Sequence, residues 1–182
     1  MKKALWSAIF MLLLSCVCAG VLAAIKYSTN EMVAQNEKIA LQHHVLAAFG
    51  LPEDIDAFDS KVQTVSDDGR TYWRLIRTGA TARVISGMGF WAPIYAVIAV
   101  DADKKTIVGI RFFNQNETPG LGGRIGEPWF MHQFEGKRLD APIRLVMPGG
   151  SKGPNDVDAI TGATETSRKV EQLIDKTRTE LQ

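Results

Sequence analysis

The feature that most constrains this chain of 182 residues is an uncharged run close to its first residue. Lys2 and Lys3 precede residues 4–25, which contain no charged side chain. As a helix rising 1.5 Å per residue, this run would extend about 33 Å, enough to cross a bilayer hydrocarbon core of about 30 Å. We therefore expect residues 1–25 to form a single transmembrane anchor.

Two other interpretations of this run stay open. Small residues at positions 19–24 suit a cleaved signal peptide, although the apolar core of a signal peptide is usually only about 7–15 residues long. Residues 13–16, Leu-Leu-Ser-Cys, loosely resemble the box cut before a lipidated cysteine, here Cys16. All three interpretations place residues 26–182 outside the cytoplasm, because the cationic start stays inside.

Charge and cysteine content exclude several kinds of function. Beyond Lys3 the chain holds 19 basic and 20 acidic residues, so no positive excess points to a nucleic-acid partner. Cys16 and Cys18 are the only cysteines. They are too few for a disulfide framework or a cysteine-rich metal cluster, and no metal site is expected.

The sequence after the anchor predicts an α+β fold. Residues 26–60 are expected to form a membrane-proximal helical segment, and residues 61–182 a single extracytoplasmic domain with an antiparallel sheet and flanking helices. The strongest signal in that domain is a hairpin, because two β-branched runs flank a short polar turn. The predicted helices are residues 30–49, capped by Thr29 or Asn30 and ended at Gly50, and residues 165–181. The predicted strands are residues 71–77, 94–100, 106–112 and 143–147.

Two glycine-rich loops need separate interpretation. In residues 116–123, Pro119 and Gly120 suit the centre of a type II turn, after which Gly122 would allow a close backbone approach. A solvated glycine loop is the alternative. Residues 149–156 lack the Gly-Lys-Ser/Thr order of a phosphate-binding P-loop, so a nucleoside triphosphate site is excluded there.

A third segment, residues 158–167, leads small and hydroxyl residues into the last predicted helix. Unpaired N–H groups at the positive end of a helix dipole favour a bound phosphate. Capping by Thr164, Thr166 or Ser167 is the alternative. It does not explain why residues 161–167 hold four hydroxyl residues and a glycine. A hydrolase nucleophile elbow is excluded in this segment because residues 158–167 contain no Gly-x-Ser-x-Gly.

These segments resemble the FMN-binding domain family, whose members include the C subunits of sodium-translocating NADH:quinone oxidoreductases and the G subunits of Rnf complexes. Residues 158–164, Asp-Ala-Ile-Thr-Gly-Ala-Thr, resemble its signature, with Thr161 where Ser is commoner. Residues 117–122, Glu-Thr-Pro-Gly-Leu-Gly, resemble its second hallmark. Residues 87–91, Gly-Met-Gly-Phe-Trp, are similar to the C subunits in particular. The resemblance covers about residues 70–181, in a chain shorter than a typical C subunit.

The resemblance implies covalent FMN. In the family, a flavin transferase joins FMN through its phosphate to the last threonine of the signature, here Thr164. Asp158, Thr161, Gly162 and Ala163 complete the motif that the transferase would recognise. No catalytic residue is expected, and Trp91 and Trp129 are candidates for stacking on the flavin ring. The expected cofactor-binding residues are Glu117, Thr118, Leu121, Gly122, Lys152, Thr161, Gly162, Ala163 and Thr166; Lys152 would supply a countercharge, and Glu117 is alternatively a proton donor.

The implied function is electron transfer as one subunit of an ion-translocating respiratory complex of the Nqr or Rnf type. Such a subunit would be single-pass in the inner membrane, with its domain on the periplasmic or extracellular side. Its partners would be the other subunits and the flavin transferase. It would turn over no substrate alone, and one helix without charged residues offers no ion path. The alternatives are a free-standing FMN carrier for an extracytoplasmic reductase, or a flavin-free scaffold.

Overall fold

The computed structural model of this chain describes residues 2–67, 69–150 and 153–181. The chain divides into two units between Ala40 and Leu41. Helix α1 runs through this division, and all other elements belong to the second unit. The helices are α1 (Lys2–Ala48), α2 (Phe58–Lys61), α3 (Pro128–His132) and α4 (Thr164–Leu181), and a 3₁₀ turn covers Gly122–Gly126. The strands are β1 (Val62–Asp67), β2 (Arg70–Leu75), β3 (Thr81–Met88), β4 (Pro93–Val100), β5 (Ile107–Asn114), β6 (Arg144–Val146) and β7 (Asp156–Asp158).

Helix α1 is one continuous helix of 47 residues, and its apolar part is long enough to cross a membrane by length and composition. The predicted helix over residues 30–49 is present as the last part of α1, but its predicted start is wrong because α1 continues through Thr29 and Asn30. Thr29, expected as its cap, instead donates its hydroxyl to the Ile25 carbonyl within α1. The predicted end of the helix is confirmed, since Gly50 adopts a φ of +68°.

The second unit is built on a five-stranded antiparallel sheet with the strands in chain order, β1 to β5. The predicted hairpin is confirmed as β4 and β5, in which Ala96 pairs with Phe112 and Val100 with Ile107. The remaining predicted strands and the last helix are present as β2, β6 and α4, within one or two residues of their expected ends. Strands β1 and β3 and the short α2 and α3 were not predicted.

The sheet is covered on both faces. On one face, Val97 and Ala99 of β4 pack with Val45 and Leu46 from the last turns of α1. The other face carries the larger core, to which β3, β4, α3 and α4 contribute. Strand β4 is buried on both faces, which explains its unbroken apolar sequence. The larger core includes Ile85, Ile98, Ile110, Phe130, Phe134, Val170, Leu173 and Ile174.

A separate two-stranded sheet leads into the signature. Strand β6 pairs with β7 in parallel, and this pairing was not predicted. Arg144 of β6 binds Asp156 of β7 through two hydrogen bonds, of 3.0 and 3.1 Å. The Gly153 amide donates to the same carboxylate at 2.8 Å. This amide and the Arg144 guanidinium hold the pKa of Asp156 below its ordinary value.

We expect Gly109→Ala to destabilise the second unit. A Cβ at Gly109 of β5 would lie 2.5 Å from the carbonyl oxygen of Ala48, a backbone atom that cannot move away cheaply. The expected loss is about 1–3 kcal/mol. That corresponds to roughly 2–4 °C of melting temperature per kcal/mol for a chain of this size. Thermal unfolding of the full chain in detergent, followed by tryptophan fluorescence, measures it.

The matched control is Gly126→Ala, because a Cβ there would meet no atom within 4 Å. Equal melting temperatures for Gly109→Ala and the wild type would contradict the packing of β5 on the end of α1.

We expect Asp156→Asn to flatten the acid dependence of stability. Because the folded-state pKa of Asp156 is depressed, its carboxylate contributes stability above the unfolded pKa of about 3.9. That contribution is lost as the pH falls through the folded pKa. Between pH values of about 6 and about 3, the melting temperature should therefore fall further for the wild type than for the variant. Asp54→Asn, which changes an exposed aspartate, is the control and should follow the wild type.

Candidate functional site

A buried carboxylate joins three segments that are distant in the sequence. Glu117, which is 4% exposed, follows β5. Its Oε1 accepts hydrogen bonds from the backbone N–H groups of Phe90 (2.8 Å) and Trp91 (3.1 Å), in the turn between β3 and β4. Its Oε2 accepts the hydroxyl of Thr166, in the first turn of α4, at 2.5 Å. We call this arrangement of Glu117, Thr166 and the two amides the Glu117 clamp.

Two glycines make room for the clamp. A Cβ at Gly122 would lie 2.4 Å from Thr166 Oγ1 and 2.9 Å from Glu117 Oε2. A Cβ at Gly89 would lie 2.5 Å from Glu117 Oε1 and 2.6 Å from the carbonyl oxygen of Ala92. A larger residue at either position would push the carboxylate away from its donors. The clamp therefore gives a physical reason for one glycine in each of the two segments.

The turn after Glu117 has the predicted geometry. The Leu121 amide donates to the Thr118 carbonyl at 3.1 Å, and Gly120 adopts a φ of +75°, as the third residue of a type II turn requires. Thr118 and Leu121 are exposed on this turn, whereas Gly122 is buried against α4. The alternative of a solvated glycine loop is therefore wrong at Gly122.

The signature forms a second turn of the same kind. The Ala163 amide donates to the Ile160 carbonyl at 3.0 Å, and Gly162 adopts a φ of +80°. The buried hydroxyl of Ser167 accepts from the Ile160 amide at 3.1 Å and donates to the Ala163 carbonyl at 3.0 Å. A Cβ at Gly162 would lie 3.1 Å from Leu121 Cδ2, so the two turns are in contact.

Thr164 is the exposed first residue of α4. Among the described residues, its hydroxyl has no hydrogen-bond partner. The backbone N–H groups of Thr164, Glu165 and Thr166 likewise find no acceptor in this part of the chain. The capping alternative is therefore wrong, because Thr166 donates to Glu117 and Ser167 bonds with Ile160 and Ala163. A free hydroxyl thus lies beside three free donors at the positive end of a long helix.

The other predicted site residues of the signature differ in their exposure to solvent. Ala163 is buried, whereas Thr161 and Gly162 are exposed beside Thr164. Asp158 is half-buried at the end of β7, where its amide donates to Gln133 Oε1 at 2.8 Å. Lys152 lies outside the described residues.

The two tryptophans predicted to stack on the flavin ring are both exposed. Trp91 is 64% exposed and forms an edge-on pair with Phe90, at 4.9 Å between ring centroids. Trp129 is 40% exposed, and the Arg124 guanidinium lies 5.1 Å from its ring centroid. Both tryptophans are therefore available at the surface rather than held within the core. The clamp attaches the backbone of Phe90 and Trp91 to the start of α4.

Sequence reasoning missed residues that support the site from a distance. Gln115 accepts the Glu117 amide at 2.6 Å, and Gln133 bonds both the amide and the carbonyl of Asp158. No local pattern distinguishes either glutamine. Phe90 belongs to residues 87–91, which the sequence analysis singled out. It takes part in the clamp through its backbone amide, however, and no pattern of side chains in the sequence predicts that contact.

The first comparison concerns sequence. Residues 89–178 match the FMN-binding domain family. The C subunit of the Na(+)-translocating NADH-quinone reductase of Vibrio vulnificus strain YJ016 is 35% identical over 127 residues, which cover 64% of this chain and 49% of that protein. The corresponding protein of Yersinia pestis is 42% identical over 93 residues, or 48% of this chain and 35% of that protein. The chain thus matches about half or less of the length of these relatives.

Solved structures share the fold. The C subunit of the Na(+)-translocating NADH-quinone reductase from Parabacteroides distasonis, in its crystal structure, superposes with a TM-score of 0.69 at 25% identity. The match covers 81% of this chain and 92% of that structure. Shewanella oneidensis NqrC superposes with a TM-score of 0.68 at 22% identity, over 78% of this chain and 96% of that one. The α+β fold predicted from the sequence is therefore confirmed.

We expect Thr166→Val to destabilise the chain and Thr164→Val to leave its stability unchanged. Thr166→Val removes the hydroxyl donor to the buried Glu117 carboxylate at almost constant shape, at an expected cost of about 1–3 kcal/mol. Thr164 is exposed, so the same change there should stay within about 0.5 kcal/mol. Thermal unfolding compares the two. Equal melting temperatures would show that the clamp contributes nothing to stability.

The sequence match begins at Gly89, which lies against the Glu117 carboxylate, and ends at Arg178 in α4. It therefore contains the whole Glu117 clamp and the whole signature turn. Local geometry, sequence match and shared fold agree, and residues 89–178 of this chain match the FMN-binding domain family.

Proposed function

We propose that this chain is a membrane-anchored flavoprotein that carries FMN on Thr164 and transfers electrons as one subunit of a respiratory complex of the Nqr or Rnf type. One observation carries the proposal. The exposed hydroxyl of Thr164 has no hydrogen-bond partner among the residues that the structure describes, and it lies beside three N–H groups at the start of α4 that likewise find no acceptor there. The linkage would be a phosphoester between this hydroxyl and the FMN phosphate.

The described residues suit a phosphate group at this position. Unpaired backbone donors and the helix dipole both stabilise an anion at the first turn of a long helix. Gly162, which precedes the first turn of α4, is exposed and has no side chain. The backbone there is therefore accessible to a phosphate group. Thr161 adds a second exposed hydroxyl, and Lys152, outside the described residues, would add a countercharge. The site would thus hold the phosphate without burying it.

The chain's own residues would bind and orient the cofactor. Bound FMN supplies one- and two-electron redox chemistry on its ring. Leu121 and Thr118, exposed on the neighbouring turn, are the residues that we assign to the ring or ribityl chain. Trp91 and Trp129 are the candidates for stacking, since aromatic faces pair favourably when offset. Glu117 would act indirectly, because its carboxylate is held by donors of the protein itself.

The proposed cellular context follows from α1 and from the relatives. Helix α1 would cross the inner membrane once, with Lys2 and Lys3 on the cytoplasmic side and the second unit on the periplasmic or extracellular side. The relatives are named as subunits of a reductase, so the partners would be other subunits of such a complex. A flavin transferase would attach the FMN after recognising Asp158 and the signature turn.

We expect flavin fluorescence to remain with the denatured chain and to depend on Thr164. The full chain is co-expressed with a flavin transferase, denatured in SDS and imaged unstained under blue light. The wild type should fluoresce, and Thr164→Val should be dark, because valine offers no hydroxyl for the phosphoester. Thr179→Val, which changes an exposed threonine of α4 outside the signature, is the control and should fluoresce as the wild type does.

The other results would contradict the assignment in distinct ways. A Thr164→Val band that still fluoresces, together with a dark Thr161→Val band, would move the attachment to Thr161. A dark wild type, with a transferase that labels a control protein, would exclude the covalent flavin and favour a scaffold. Melting temperatures of the same samples separate loss of attachment from loss of folding.

A further inference from the structure

A concave surface of the second unit lies at the opposite end of α4 from the signature. It is a cleft of about 770 Å³ between the last turns of α4 and strands β2 and β3. Lys176, at its wall, lies twelve residues after Thr164, which is about 18 Å along the helix axis. Its floor includes the apolar side chains of Ile98 and Val100. We call this surface the basic cleft.

Cations dominate the side chains of the basic cleft. The described lining residues include five cations and two carboxylates, in a chain with almost equal numbers of both. Arg70, Arg74 and Lys104 make no ion pair with any described residue. Their charge is therefore not neutralised within this part of the chain. The five cations are Arg70, Arg74, Arg83, Lys104 and Lys176, and the two carboxylates are those of Asp67 and Glu180.

Arg83 leaves one donor unused at the floor of the cleft. Its side chain is 21% exposed, and its Nη2 donates to the Thr177 carbonyl at 3.2 Å and lies 3.7 Å from Glu180 Oε2. Its Nε is buried and has no hydrogen-bond partner among the described residues. Burial, together with the nearby charge of Arg70, lowers the pKa of Arg83 from its ordinary value. This guanidinium is therefore only partly compensated by the protein itself.

The spacing of the cations indicates an extended ligand. Arg70, Tyr72 and Arg74 occupy alternate positions of β2 and so share one face of the sheet. Tyr72 pairs with Arg83 of β3, which places that guanidinium on the same face. Arg70 and Arg74 are four residues apart, or about 13 Å along the strand. A single phosphate or carboxylate would have to draw both guanidinium groups toward the middle of the strand, whereas an extended chain with several carboxylates can pair with each of them separately.

We propose that the basic cleft docks an extended acidic segment of a partner protein. Charge complementarity and the separation of the cations carry this proposal. A small apolar floor within a charged rim is also the usual composition of a protein interface. The identification of the partner as another subunit of the same membrane complex rests on the proposed function. The docking itself does not depend on flavin.

The test uses the full chain in uncharged detergent and a fluorescein-labelled peptide of alternating Glu and Ser. Fluorescence anisotropy measures its affinity at about 0.01 M and about 0.15 M salt, where the Debye lengths are about 30 and 8 Å. We expect saturable binding that weakens with salt. The variant Arg70→Gln, Arg74→Gln, Lys104→Gln should bind at least about tenfold more weakly, because three unpaired cations are removed. A peptide of alternating Gln and Ser should not bind.

The matched control removes three cations elsewhere in the second unit. Arg77→Gln, Arg138→Gln, Lys169→Gln should bind the acidic peptide within about twofold of the wild type, since none of these residues lines the cleft. Equal weakening in both triple variants would overturn the proposal by showing a response to net charge alone. Tighter binding of pyrophosphate than of the peptide, lost in the cleft variant, would make the cleft a small-anion site. Binding only to phosphatidylglycerol vesicles would make it a membrane contact.

Thr164→Val separates this proposal from the proposed function. That variant should bind the acidic peptide as the wild type does, because its substitution lies at the other end of α4. A chain that carries no flavin but binds the peptide would contradict the proposed function and retain the docking site. A chain that carries flavin but does not bind the peptide would contradict the docking site and retain the proposed function.

Discussion

The candidate site depends on the compensation of one buried carboxylate. Burial of Glu117 removes its charge from water, which is costly unless hydrogen-bond donors replace the solvent. Two backbone amides and one hydroxyl supply them, and each comes from a different part of the chain than Glu117 itself. Because the carboxylate needs space, Gly89 and Gly122 must lack side chains. The position of the first turn of α4, and hence of Thr164, follows from these contacts.

The sequence predicted what depends on neighbours along the chain. The β4–β5 hairpin, the turn at Pro119 and Gly120, and the body of α4 each follow from local propensity. Strands β1 and β3 escaped prediction because polar residues and glycine interrupt their apolar pattern, while pairing with β2 and β4 stabilises them. A helix start was predicted at Thr29 or Asn30 because these residues are good caps, whereas α1 continues through residues 26–30, which contain no Gly or Pro.

For the candidate site, too, the sequence predicted only what depends on residues that are close along the chain. A threonine-rich approach to a helix is visible in the sequence, and the resemblance identified Thr164 among its hydroxyls. The inward orientation of Thr166 and Ser167 depends on partners up to 49 residues away and on the signature turn itself. Glu117 illustrates the difference most clearly, because a motif marks it as important and only the fold shows that its carboxylate faces the protein.

Helix α4 has a consequence for the electrostatics of the whole domain. Its positive end meets the signature turn, and near its negative end the Thr177 carbonyl accepts a hydrogen bond from Arg83. The helix thus works as a spacer that favours negative charge at one end and positive charge at the other. A partner held at the basic cleft and an anion held at Thr164 would not compete for surface. Under the two proposals, mutations could therefore alter subunit docking and FMN attachment independently, although both sites lie on the same helix.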